Sequence, residues 1–351
     1  MAGWRVAGWR VAGSLVVVGA FVAACSDGTA GTSGTSGPVS SPAPVSSPAP
    51  ASTEPPDTTG AETSPTTDAS TITDASTTTS GSEGSETVTA ASIAAELTEV
   101  ERRLRDPDLD PVADADELAE LGRRQQRAYR QLARHDELDA EVLALVAPDV
   151  ATAVGYNVAA RQAVTAHAAT RPPSEPPTTL PAWTIEAPAP VDELLAYYAE
   201  AETLTGVPWE YLAAINFVET RMGRIAGASS AGAIGPMQFL PETWAACCEG
   251  DPTDPHDAIV GAAVYLASEG APGDMHAALT AYNPNEGYVG QVAAYAANLR
   301  ADPLAYLGYH GWEVFVGTSA GTVRLPVGYA EIEPIDAATY VAAHPDDAPP
   351  S

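Results

Sequence analysis

TGVPWEYLAAINFVETRMG, residues 205–223, decides the reading of this chain. Before it, a helix over about 192–205 carries Leu194, Leu195, Tyr198 and Ala201, and Gly206 breaks it. Pro208 then suits the first turn of a second helix, where its missing N–H costs nothing. That helix runs to about Met222 and stops near Gly223. Leu212, Ile215, Glu219 and Met222 fall at i, i+3, i+7 and i+10, which is one face. Glu219 therefore projects from the apolar stripe that must face a core. A carboxylate there is costly unless it is paired or used. Burial raises its pKa, as a proton-donating acid requires. An ion pair with Arg221 or Arg224 is the structural alternative, and spacing alone leaves both open.

Downstream, GASSAGAIGPMQFLPETW at 227–244 is too rich in glycine for a helix until Pro241. Tight glycine turns let backbone approach a ligand closely, and the segment holds Met237, Gln238 and Phe239 in a row. Asp254 and Pro255 form a helix start, with Ile259, Ala262, Ala263 and Leu266 as its core face and Gly270 as its end. A short helix near 274–282 delivers AYNP at 281–284, where Pro284 stops it. Tyr288, Val292, Tyr295 and Leu299 mark a last helix.

Four strings in this order resemble the SLT-type lytic transglycosylases, which have the fold of goose-type lysozyme. They are residues 205–223, SSAGAIGPMQFLPETW at 229–244, HDAIVGAAVYL at 256–266 and AYN at 281–283. The resemblance covers about 191–300. It implies a lysozyme-like helical catalytic domain, and with the preceding helical region and the small C-terminal β-hairpin read below the whole chain is expected to be mainly α. It places the catalytic acid at Glu219, with Thr220 where the family has Ser. Gln238 is implied to contact substrate, Met237 to shape the cleft, Tyr282 to lie near the acid and Asn283 to contact sugar. Ser229, Phe239 and Tyr288 complete the candidate substrate-binding set. Pro284 and Asn285 depart from the family's Ala-Gly after the Asn.

The implied reaction cleaves the β-1,4 bond between N-acetylmuramic acid and N-acetylglucosamine in peptidoglycan. The muramic 6-hydroxyl is the acceptor, leaving a 1,6-anhydro end, so one carboxyl suffices. A hydrolase of the same bond would need a second carboxylate, at about 5–5.5 Å or 6.5–9.5 Å. Glu242, Asp274 and Glu286 are candidates for it. A non-catalytic wall-binding lipoprotein is the third class, and a retained acid on a buried stripe speaks against it. No cofactor is implied, and no metal, because no histidine pair shows ligand spacing with cysteine or carboxylate. The domain's fourteen acids against three Arg do not obstruct a glycan read by hydrogen bonds and stacking.

Outward from this region, residues 91–170 carry Ile93, Leu97, Val100 and Leu104 at helical spacing. Glu99–Arg103, Glu101–Arg105 and Glu120–Arg124 are i,i+4 pairs in the favourable order. Two to four helices are expected, forming a hairpin or bundle. Nine Arg beside fifteen acids read as a solvated, salt-laced surface. His135 and His167 read as surface or packing residues. Residues 171–190 read as a Pro-rich linker. Residues 301–330 hold Tyr306, Tyr309, Trp312 and Phe315 and a hairpin of 314–317 with 322–327, which these aromatics are expected to pack onto the helical domain, with stacking on sugar as the alternative. Residues 331–351 read as an acidic, loosely ordered tail.

The N-terminus reads as an export signal over 1–24. Arg5 and Arg10 precede an apolar run from Val11 to Ala24, short of a comfortable bilayer span. VAAC at 22–25 resembles a bacterial lipobox, which implies a lipid on Cys25 and retention at the outer face of the cell membrane. From 26 to 90 the chain is mostly Ser, Thr, Pro, Ala and Gly with scattered acids, without Arg or aromatic residues. Such composition cannot bury enough apolar surface to order itself, and as a coil it would reach about 45 Å. The expected partner is peptidoglycan glycan, with the membrane held through the anchor only. Over 351 residues the formal charge is −30, and every basic residue is Arg. That balance excludes nucleic acid as a partner and an anionic membrane surface held by charge. Cys247 and Cys248 are the other thiols, and their adjacency favours two small buried hydrophobes over a bridge.

Overall fold

The computed structural model describes residues 88–348, and the chain from 88 onward forms one unit. The apolar run, Cys25 and all but the end of the 25–90 segment lie outside the described residues. The first helices are α1 (Ala90–Arg103), α2 (Ala115–Arg134), α3 (Asp139–Leu145) and α4 (Ala151–Ala168). Two short strands follow, β1 (Thr179–Leu180) and β2 (Thr184–Ile185). Then come α5 (Val191–Thr205), α6 (Trp209–Thr220), β3 (Ile225–Ala226) and α7 (Pro241–Cys247). Next are α8 (Pro255–Ser268), α9 (Met275–Tyr282), α10 (Glu286–Ala301) and α11 (Ala305–His310). A hairpin of β4 (Val314–Thr318) and β5 (Gly321–Leu325), then β6 (Ile335–Asp336) and α12 (Ala337–Ala343), close the fold. The expected mainly helical fold with a small hairpin is what forms.

Each helix of the central region starts and stops for a legible reason. Asp254 caps α8 by accepting from the Asp257 N–H, and Asp274 caps α9 through Ala277. Asn285 caps α10 by accepting from Gly287 and Tyr288. Gly206, at φ 78°, ends α5 in the left-handed region. Helix α6 stops two residues before the expected Met222. Arg221 and Met222 both turn left-handed, and the Met222 N–H reaches back to the Asn216 carbonyl.

The helices of 90–168 share one core with those of 191–310. Leu97, Val100, Leu132, Val154 and Val158 belong to the same buried cluster as Leu212, Phe217, Val292 and Tyr309. Helix α4 lies along α10. Helix α2 crosses α11 where Gly122 meets Gly311, so closely that a Cβ on Gly122 would fall 2.6 Å from the Gly311 Cα. Gln126 brackets Glu313, donating to its carbonyl and accepting from its N–H.

The salt-laced surface expected for these helices is only partly that. Glu101 is fully buried and accepts from Tyr129, Gln125 and Arg105. Arg105 also reaches Asp302, just past α10. Of the three expected i,i+4 pairs, Glu101–Arg105 forms. Arg103 instead meets Asp106 and Glu117, Arg124 meets Glu96 and Glu99, and Glu120 meets Arg123 and Arg127. Helices α1 and α2 pack together, which offers acids across the interface that a single-helix count misses.

Two segments differ from their sequence expectation. Within the supposed linker, β1 pairs with β6 and β2 with β3, both antiparallel. Leu180, Trp183 and Ile185 are buried with Val316, Val323, Leu325 and Tyr340 in a second cluster. The supposed loose tail supplies β6, α12 and a buried Asp347 that binds Arg324 and Tyr340. Isolated Leu, Trp and Ile among prolines give no periodicity. Their burial depends on partners about 40 and 150 residues away. Cys247 and Cys248 are also a correction, because they are bonded to each other. Cys247 is the last residue of α7 and Cys248 is extended, so the chain leaves the helix between them.

Candidate active site

Glu219 is the penultimate residue of α6. It is half-buried, on the face that also sends Leu212 and Ile215 into the core, and Met222, just past the helix end, is buried as well. The next residue fixes it in space. The Thr220 hydroxyl donates to the Pro236 carbonyl at 2.6 Å, and the Asn216 amide donates to the same oxygen at 2.9 Å. Thr220 Oγ1 also accepts from the Gly223 N–H, and Asn216 accepts from the buried Tyr198 hydroxyl. The end of α6 is thereby tied to the loop at 227–240. Asn216 is a residue that sequence reasoning passed over. Its signal was a lone amide inside AAINFVET, one turn before Glu219 and Thr220.

That loop is a tight hairpin. Ile234 and Phe239 exchange both backbone hydrogen bonds at 2.9 Å. Gly235 at φ 77° and Gln238 at φ 50° make the turn. Gly235 carries the left-handed step that a side chain would resist. Met237 is fully buried, and its carbonyl accepts from the Tyr282 hydroxyl. The Phe239 ring stands edge-on to Trp244 and Tyr282, at 5.0 and 5.7 Å between centroids. Gln238 donates to the Gly235 and Gly227 carbonyls. Ser229 closes the loop's start, where its hydroxyl oxygen accepts from the Ala233 N–H. Asn283 is buried at the C-terminal cap of α9.

The electrostatics single out Glu219. Desolvation pushes its pKa to about 7, opposed only by the nearby Tyr288 hydroxyl, which favours the ionised form. That hydroxyl is buried and has no hydrogen bond of ordinary length and angle among the described residues. Tyr282 and Tyr288 are themselves held neutral, first by burial and then by the Glu219 charge. The structure therefore brings Glu219, Tyr282 and Tyr288 together, with Met237 and Phe239 as the wall. Gln238 and Ser229 hold the loop's own backbone.

The ion-pair alternative does not form. Arg221 donates to the Phe217 carbonyl and lies over the Phe217 ring. Arg224 donates to the His310 carbonyl. Among the described residues no cation pairs with Glu219. Of the three candidate second carboxylates, Asp274 caps α9, Glu286 faces His276 at 3.5 Å, and Glu242 is exposed in the first turn of α7. No carboxylate figures among the groups that shift Glu219.

Of the remaining expectations, Tyr306, Tyr309 and Trp312 are buried and Phe217 packs on Tyr309 and Trp312. They anchor the core, and Phe315 lies under Arg130. His135 sits beside Glu137 at the surface. Asp254, His256 and Asp257 bring three possible metal-donor atoms within 4.8 Å of one another. There, His256 lies between Glu200 and Asp257, and Asp254 caps α8. No helix among the described residues is long and apolar enough to cross a membrane.

Residues 196–304 match the family described as Transglycosylase SLT domain. This span covers α5 to α10 and bears out the resemblance expected from the motifs. The chain is similar to the membrane-bound lytic murein transglycosylase F of Thiobacillus denitrificans, with 31% identity over 127 residues. That alignment covers 34% of this chain and 27% of the relative, so the chain spans about a quarter of the relative's length. No solved structure matches.

Proposed function

We propose that this protein is a peptidoglycan lytic transglycosylase in which Glu219 is the single catalytic acid and base. One observation carries the reading: a half-buried carboxyl, poised near pH 7, with no cation or second carboxylate acting on it. A group of that pKa is divided between its acid and base forms at neutral pH, which suits both halves of the reaction. As an acid, Glu219 protonates the glycosidic oxygen leaving the muramic anomeric carbon. As a base, it takes the proton of the muramic 6-hydroxyl while that oxygen bonds to the anomeric carbon. The glycosidic C–O bond breaks, a 1,6-anhydro ring forms, and Glu219, protonated at the start, ends protonated again. The 2-acetamido group stabilises the positive anomeric carbon between these steps. Tyr288, a neutral buried hydroxyl beside the acid, is placed to steady the carboxylate when the proton has left.

The sequence features before residue 88 complete the proposal. A lipid on Cys25 would hold the protein at the outer face of the membrane, and the tether would carry the helical head to the glycan. The direct test of the acid is Glu219→Gln. The variant should bind glycan strands as the parent does and release no fragments. Retention of more than a few per cent of activity would remove Glu219 from the role.

A further inference from the structure

A cavity lies at the junction of the 90–168 helices with those of 191–310. Its volume is about 100 Å³. Its lining includes Arg130 and Arg134 of α2, Arg161 of α4 and Arg221 at the end of α6. Glu313 is the one acid in that lining, and it already faces Arg324 at 3.5 Å. Arg161 is neutralised by Asp139. Arg134 has no carboxylate partner among the described residues, and neither has Arg221, whose pKa is lowered by burial. Four guanidinium groups on one cavity are conspicuous in a chain of charge −30, where the average field repels anions. Aromatic rings of Tyr129, Tyr295 and Trp312 also line it. Arginine's fixed fork of donors suits a carboxylate, and the rings suit an apolar stem beside it.

The cavity is also close to the acid. Tyr288, Gln291 and Tyr295 follow one face of α10 at i, i+3 and i+7. The first meets Glu219 and the other two line the cavity. At the helical rise, Gln291 and Tyr295 lie roughly 5 and 10 Å along the axis from Tyr288. Arg221 is two residues from Glu219. An extended peptide of four or five residues reaches about 13–18 Å, enough to span that gap from a sugar held at Glu219.

We infer that this cavity is a subsite for the C-terminal carboxylate of a peptide attached to the glycan, with Arg134 and Arg221 as its ligands. The inference rests on the peptidoglycan reading, because the peptide is carried by the muramic residue. It also gives the 90–168 helices a role in choosing substrate. Glycan bearing peptides should then be held through two points, and bare glycan through one.

The test uses the full chain and separates the two readings. Binding of N-acetyl-D-Ala-D-Ala, of its C-terminal amide and of acetate is measured by calorimetry. The dipeptide acid should bind at least tenfold more tightly than either comparator, and Arg134→Gln should remove that advantage. Equal binding of acid and amide would overturn the inference. So would acetate binding as well as the dipeptide, or no binding of the acid at millimolar concentration. In parallel, Arg134→Gln should raise KM about tenfold on peptide-bearing glycan and leave kcat unchanged. On amidase-stripped glycan the variant should match the parent. An equal change on both substrates would contradict the subsite. Loss of cleavage by the parent on both would instead count against the Glu219 reading, while the dipeptide measurement still judges the cavity.

Discussion

At the residue scale, Glu219 is held at the expense of stability, and the sign follows from its pKa. The folded value, about 7, lies above the ordinary 4.5. Between those values the folded state binds more protons than the unfolded chain. Stability therefore falls as pH rises from about 4.5 to about 7 and is level beyond, with a total near 3 kcal/mol. Glu219→Gln should leave stability at pH 4 almost unchanged and raise it above pH 7, as denaturant melts at both values would report. A variant no more stable than the parent at pH 8 would contradict a desolvated carboxyl. The same pKa gives the parent enzyme a falling limb of kcat above about pH 7, where the acid form is lost. A rate that climbs through pH 8 would exclude Glu219 as proton donor. The face on which Glu219 lies was legible from Leu212, Ile215 and Met222 alone. Its lack of an arginine partner was not, because Arg221 turns left-handed and folds back on Phe217.

At the element scale, the joint between α6 and the 227–240 loop sets where the acid sits. Thr220→Val keeps the shape and removes the donor to Pro236, leaving a buried carbonyl with only Asn216. It should cost about 1–3 kcal/mol and lower kcat, whereas Thr220→Ser should retain most of both. Thermal melts and initial rates of the two variants check this. Equal behaviour of Val and Ser would show that the hydroxyl is idle. The Cys247–Cys248 bridge lies at the far end of α7, beyond the wall formed by Phe239 and Trp244. Cys247→Ala with Cys248→Ser should therefore keep cleavage near the parent's level and lower the melting temperature modestly. Loss of cleavage in the folded double variant would place the bridge in the site's support. Helices and hairpin were readable here from caps, glycine stops and apolar period. The small strands β1, β2, β3 and β6 were not. Each is two residues long and exists only because a distant partner satisfies its backbone.

At the scale of the whole molecule, the family match ends at residue 304, but the packing does not. Helix α4 covers α10 and α2 covers α11, so the helices of 191–310 present no finished surface without them. Gly122→Val should force α2 off α11 and destabilise the entire unit by more than about 2 kcal/mol, visible as one cooperative transition shifted down. A separate early melt of 90–168 alone would contradict the shared core. The sequence pointed to a helical segment there, but the Arg105–Asp302 pair beside its buried Glu101 and its glycine contact join residues about 190–200 positions apart. Anchoring is proposed for the whole chain: Cys25→Ala should release the protein from detergent-phase partitioning, and unchanged partitioning would count against a lipid. The central claim is that one carboxyl, acting without water, cleaves glycan. Purified sacculi digested by the full protein and analysed by mass spectrometry test it most directly. The account predicts muropeptides ending in 1,6-anhydro-muramic acid and their disappearance with Glu219→Gln; fragments with free reducing ends from the parent protein would contradict it.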